Sequence, residues 1–154
     1  MKIIFLDVDG VLNHSECREW TDTAEVLDPE IVERVKDICA KTGAKIVISS
    51  VWRLGDSFNL LKKTFGNLIV GRTPDLVLGR LSSPAHGRWM EICRWLLVNR
   101  LGGAHIEEIV VIDDDKDAEV ADIPFVQTNF CEGGLTKALG DKVLEALGHV
   151  PLEG

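Results

Sequence analysis

The chain has 154 residues, 45% of them apolar, the size of one domain with enough apolar side chains for a single core. A formal net charge of −8 argues against nonspecific coating of nucleic acid, and no apolar run approaches the roughly 20 residues of a membrane span. Met1 to Leu6 meets an aspartate at position 7 before a signal-peptide core is complete, so the expectation is one soluble, cytoplasmic domain over 1–154 with no membrane partner.

Lys2 to Leu6 is a short run rich in β-branched and aromatic residues that ends at Asp7, the pattern of a strand buried on both faces. Asp28-Pro29 then supplies an N-cap and a first-turn proline. Ile31, Val32, Val35, Ile38 and Cys39 follow at helical spacing up to Gly43. Ala44 to Ile48 reads as a second strand ending at Ser49-Ser50, with a helix after it through Phe58, Leu60, Leu61 and Phe65 that Gly66-Asn67 breaks.

Residues 68 to 81 hold two apolar pieces, Leu68 to Val70 and Leu76 to Leu81, and predict an irregular hairpin or a strand and loop. Ser82-Ser83-Pro84 opens a helix from about His86 to Asn99, whose apolar face is Trp89, Ile92, Cys93, Leu96 and Leu97. Ile109 to Ile112 is a further buried strand, running into Asp113-Asp114-Asp115. Ile123 to Gln127 is the next, and Leu135 to Leu147 a closing helix. Strands alternating with helices imply right-handed crossovers and a doubly wound, mainly parallel α/β sheet.

In such sheets ligands bind beyond the carboxyl ends of the strands, where Asp7 with Asp9, Ser49 with Ser50, and Asp113 with Asp114 are all delivered. Two aspartates at i and i+2, brought to one phosphate by the turn that Gly10 permits, supply what phosphoryl transfer needs. One carboxylate attacks phosphorus, and the other protonates the leaving oxygen and later deprotonates water.

Four carboxylates in one crevice repel one another unless a cation neutralises them, and all-oxygen ligation suits Mg²⁺ rather than Zn²⁺. Ser49 can donate to a phosphoryl oxygen. Arg88, or Arg53 from the helix after Ser49, can offset its charge.

Each signal has a plainer account: a calcium-binding or simple turn for the D-x-D-G, a helix cap for Ser49, a solvated acidic helix start for 113–115, a salt bridge for Arg88. Trp52 and Trp89 read as core or rim packing rather than base-stacking platforms, and His86 is assigned nothing. Cys17, Cys39, Cys93 and Cys131 are too widely spaced to suggest a zinc site or a disulfide framework.

Charge is unevenly distributed. Residues 41 to 100 carry ten Lys/Arg against three acids, giving +7 there and −15 elsewhere. The stretch can present a positive surface to an anionic ligand, or simply consist of solvated helix faces.

In order along the chain, FLDVDGVL, KIVISS, Arg88 within GRWMEI, and IVVIDDD resemble the four motifs of the haloacid dehalogenase (HAD) superfamily. The resemblance implies a Rossmann-like fold and a phosphatase with an aspartyl-phosphate intermediate. Asp7 is its nucleophile and a metal ligand, and Asp9 its acid/base, lending a backbone carbonyl to Mg²⁺. It also implies that Ser49 and Arg88 hold the phosphoryl group and that Asp113 and Asp114 complete the metal site; Ser50 and Arg53, beside Ser49 in the sequence, are taken as further phosphate-binding candidates. Arg88 stands where the family more often has lysine, which keeps the charge and changes its geometry.

More narrowly, Ser49-Ser50-Val51-Trp52-Arg53, Arg88-Trp89-Met90-Glu91-Ile92 with Trp95-Leu96, and Thr128 followed by Gly134-Leu135-Thr136 resemble the phosphatase-like domains associated with Swiss army knife RNA repair proteins. That likeness implies a nucleic-acid end as substrate, a 3′-phosphate foremost, with a nucleotide or other small monoester as the alternative. The family's cap domains are inserted after the first motif or between the second and third. Residues 13–27 and 51–85 leave no room for a large one, so a minimal cap or none, and an open site, are expected.

A receiver-type signalling domain also gathers acids, a Ser/Thr and a cation around Mg²⁺. It places its phosphoacceptor after a central strand and its acidic pair after the first, whereas Asp7 and Asp9 flank one residue at the first strand. A noncatalytic relic is expected to have lost one of the two acids, and both are here.

Overall fold

In the computed structural model, residues 1–15, 27–76 and 87–149 are described. Most of residues 13–27, Cys17 among them, most of the apolar piece Leu76 to Leu81, and Ser82-Ser83-Pro84 with His86 lie outside those residues.

Five strands, β1 (Lys2–Leu6), β2 (Lys45–Ile48), β3 (Ile69–Arg72), β4 (Glu108–Asp113) and β5 (Phe125–Gln127), form one sheet in the order β3-β2-β1-β4-β5. Every pair is parallel, so the expected doubly wound sheet is present and wholly parallel. β1 takes the centre because Ile3 to Leu6 are apolar on both faces and lose all contact with water there.

Helices α1 (Pro29–Thr42), α2 (Ser57–Phe65), α3 (Arg88–Leu101) and α4 (Lys137–Ala146) complete the layers. α1 starts where its residues dictate: the Asp28 carboxylate accepts the Glu30 N–H at 2.9 Å, with Pro29 at the first position. Among the described residues, no helix is long and apolar enough to cross a membrane.

Strand alternation divides the core in two. Ile4, Leu6, Ile46, Ile48, Val110 and Ile112 pack with residues of α1, α2 and α4. Ile3, Phe5, Val47, Ile109 and Val111 meet Ile92, Trp95 and Leu96 of α3, where Trp95 sets its ring edge-on to Phe5 with centroids 5.5 Å apart.

Of the two expectations for the stretch from Leu68, the structure has the strand: an edge strand, β3, whose register against β2 shifts between Ile46 and Val47. Three other expectations change in detail. α3 is rotated from its expected face: Trp89 and Leu97 are exposed while Glu91 and Trp95 are buried. An ion pair to Arg53 draws Glu91 inward, and the contact with Phe5 does the same for Trp95. β5 begins at Phe125 rather than Ile123, and α4 begins behind a Thr136 cap, whose Oγ1 accepts the Leu139 N–H, rather than at Leu135.

Candidate active site

Leu6 lies opposite Ile48 on one side and Ile112 on the other, so Asp7, Ser49 and Asp113, one step further along each strand, stand in a row. The ladder continues into that row: Asp7 N–H donates to Ile112 O at 3.1 Å and Ser49 N–H to Leu6 O at 2.9 Å. Alternation carries all three side chains to the α3 side of the sheet, the side of Phe5, Val47 and Val111. There α3 presents its first residue, Arg88.

Arg88 Nη1 lies 2.9 Å from Asp113 Oδ2 and 3.2 Å from Asp7 Oδ1. Its backbone is fixed from outside the helix. Gly87 has no side chain to cap α3, and Asp117 Oδ2, in the 3₁₀ turn Lys116–Ala118 after β4, accepts the Arg88 N–H at 3.1 Å.

Among the described residues Asp7 Oδ1, although in an ion pair with Arg88, is buried without a hydrogen-bond partner, and so is Ser49 Oγ. Two orphaned oxygens in one row are costly unless something else binds them.

Carboxylate oxygens of Asp7, Asp113 and Asp114 lie within 4.8 Å of one another. An all-oxygen donor set of this kind, with one buried carboxylate oxygen still to be satisfied, fits a hard divalent cation such as Mg²⁺. Burial raises the Asp7 carboxyl well above the ordinary carboxylate range, and the Asp113 charge adds to the rise while Arg88 opposes it. Asp113 is raised as well, chiefly by burial, with Arg88 pulling the other way. Burial acts to lower Arg88, but the two carboxylates outweigh it and raise it further.

Asp9 stands apart from that cluster. Asn13 Nδ2 donates to its Oδ1 at 3.0 Å and Trp52 Nε1 to its Oδ2 at 3.1 Å. Asn13 Oδ1 also accepts the Gly10 N–H at 2.9 Å, and the buried Thr128 hydroxyl donates to Gly10 O at 2.6 Å. Gly10 is required here: its φ is +79°, and a Cβ would collide with the Asp114 carboxylate.

Ser50 and Arg53, expected beside the phosphate, are used inside the fold. Ser50 Oγ accepts the Trp52 N–H and caps the 3₁₀ turn Val51–Arg53. Arg53 donates to Thr73 O, Ser50 O and Pro74 O and pairs with Glu91 at 2.8 Å, which commits its guanidinium away from the row of acids. The sequence reading gave no site role to Asn13, Trp52 and Asp117, and named Thr128 only within the family likeness. For Thr128 a further signal was its place one residue beyond the last strand; Asn13, Trp52 and Asp117 gave none.

Asp7, Asp9, Arg88, Asp114, Asp115, Lys116 and Gln127 line a cleft of about 590 Å³. The row can therefore hold a cation, a buried carboxylate and a hydroxyl donor around one anionic group, with a second, separately held carboxylate alongside. A search of curated proteins finds no match. A family model described as the HAD domain in Swiss Army Knife RNA repair proteins matches residues 3–139.

Proposed function

The chain belongs to the family of HAD domains in Swiss Army Knife RNA repair proteins, a HAD-type hydrolase family, and we propose that it is a Mg²⁺-dependent phosphatase of polynucleotide ends, 3′-phosphates foremost. The observation that carries the chemistry is the row of Asp7, Ser49 and Asp113 with Arg88 above it, next to an independently held Asp9. The reading takes residues 1–154 as one catalytic unit.

In this reading Asp7, Asp113 and Asp114, with the backbone carbonyl of Asp9, would hold Mg²⁺. When bound, the ion lowers the charge of the acidic cluster and of the phosphate beside it. Ser49 Oγ donates to one phosphoryl oxygen, meeting its own unsatisfied hydrogen-bonding capacity, and the Arg88 guanidinium balances charge on another.

Asp7 attacks phosphorus, the bond to the leaving oxygen breaks, and the protonated Asp9 carboxyl gives that oxygen its proton. Asp9, now a carboxylate, takes a proton from water, which attacks the aspartyl phosphate and releases phosphate with Asp7 restored. Asn13 and Trp52 keep Asp9 beside the leaving group instead of in the cluster.

The test is phosphate release, with Mg²⁺ and with chelator, from matched 3′-phosphorylated oligonucleotides and from 5′- and 3′-mononucleotides. Metal-dependent preference for the oligonucleotide is expected, and preference for a mononucleotide moves the assignment to nucleotide metabolism. Asp7→Asn should abolish turnover while leaving the fold intact. Wild-type-like turnover in that variant rejects the nucleophile.

A further inference from the structure

A second concavity, of about 600 Å³, lies between the β3 edge and α3 and contains none of the site residues assigned above except Arg53. Arg53 is neutralised there by Glu91. Its wall carries donors that find no acceptor among the described residues. Arg94 is exposed and makes no hydrogen bond or ion pair among the described residues. Trp95 is nine-tenths buried and lines the cavity, and its indole N–H makes no hydrogen bond among the described residues.

The indole comes this close to the sheet because position 71 is glycine: a Cβ there would stand 3.1 Å from Trp95 Nε1. Arg72 adds a second cation, steadied over the Phe58 ring at 4.7 Å and by a bond from its Nη1 to Arg53 O, while Asp75 is the cavity's acid. Leu54 and Val98, both about half exposed, give the same hollow apolar walls. Two cations and an idle N–H between apolar walls suit a ligand that is both anionic and apolar, as a phosphodiester with its nucleoside is.

The hollow is built into the same elements as the catalytic row. Arg94 follows Arg88 by six residues on α3, about 9 Å along the axis. β3 lies two strands from β1, about 10 Å across the sheet. Anionic groups at two points that far apart belong to one extended polyanion more naturally than to one small monoester.

We propose that this groove is a subsite for an internal phosphodiester of the polynucleotide whose terminal phosphate lies at Asp7, with Arg94 and the Trp95 N–H as its ligands. The proposal rests on the phosphatase reading for its register and on the groove alone for its chemistry. It accounts for part of the positive excess in residues 41–100 of an otherwise acidic chain.

The test compares wild type with Arg94→Glu and Gly71→Ala, the second pressing a methyl against the indole nitrogen without touching charge. Turnover of p-nitrophenyl phosphate and of a 3′-phosphorylated oligonucleotide of about six nucleotides is measured, with anisotropy binding of the same oligonucleotide lacking its phosphate. Both variants should raise KM and Kd for the oligonucleotide by about tenfold. Arg94→Glu should reduce the salt slope of binding by about one contact, and p-nitrophenyl phosphate turnover should stay unchanged in both. Unfolding midpoints equal to wild type keep a folding defect from imitating the result.

If oligonucleotide KM and Kd are the same in all three proteins, the subsite is rejected. Equal competition for the groove by orthophosphate or a mononucleotide also overturns it, in favour of a small-anion site. Arg94-dependent oligonucleotide binding with no turnover of any substrate leaves the subsite standing and rejects the phosphatase reading instead.

Discussion

Trp52 donates its indole N–H to Asp9 Oδ2 at 3.1 Å, joining the turn after β2 to the loop after β1 across the mouth of the acidic row. With Asn13 on Oδ1, both oxygens of Asp9 are held, and the carboxyl is set apart from Asp7 although only Val8 separates the two in sequence.

Replacing Trp52 with Phe keeps a ring of similar shape and removes that hydrogen bond. A hydrogen bond to a charged group is worth about 1.5–3 kcal/mol, so kcat should fall by about tenfold or more with KM nearly constant. Steady-state kinetics on one phosphomonoester decides it. A variant with wild-type kcat shows that Asp9 does not need the indole.

Arg53 and Glu91 form an ion pair closed to solvent, and Glu91 also accepts the Leu76 N–H at 3.0 Å. Glu91→Gln leaves the guanidinium buried without a counter-charge and should cost about 3–5 kcal/mol of stability. Urea unfolding measures it. A loss comparable with that of an exposed pair contradicts the structural role given to Arg53.

Gly10→Ala places a Cβ against Asp114 in left-handed backbone. Strain alone is worth about 1–2 kcal/mol, and displacing Asp114 should weaken Mg²⁺ binding as well. Calorimetric titration with Mg²⁺ and a melting curve separate the two effects. Unchanged Mg²⁺ affinity removes Asp114 from the cation site.

Asp7 and Asp113 titrate higher when folded than when unfolded, so the stability they contribute is present below the ordinary carboxylate range and lost as pH rises through their raised folded values. Mg²⁺ binds the deprotonated carboxylates and should reverse the loss. Its stabilisation, read as a shift in Tm, should be small near about pH 5 and grow toward about pH 8. A shift independent of pH contradicts a cation held by these acids.

The strand pattern and the positions of Asp7, Ser49, Asp113 and Arg88 were legible because each depends on local order: an apolar run, then a polar residue at its end. The interior use of Arg53 was not, since its partners Thr73, Pro74 and Glu91 are 20 to 38 residues away and their approach is set by how β3 and α3 pack. Trp52 escaped for the same reason, 43 residues from Asp9, and Asn13, only four residues from it, escaped because its residue type does not announce the turn that folds it back. An asparagine after a turn and a tryptophan after a serine carry no chemistry until both are found on one carboxylate. β3 was obscured by Gly71, which breaks an apolar run while making room for Trp95.

The most direct measurement is to quench Asp9→Asn during turnover of p-nitrophenyl phosphate with Mg²⁺ and map any added phosphoryl mass by peptide. That leaving group needs no proton, so Asp7 should still be phosphorylated, while the missing base slows release of phosphate from it. The account predicts a phosphoryl group on the peptide containing Asp7, absent when Asp7 is also Asn. Phosphate release by Asp7→Asn at the wild-type rate, with no phosphorylated protein in either variant, contradicts it.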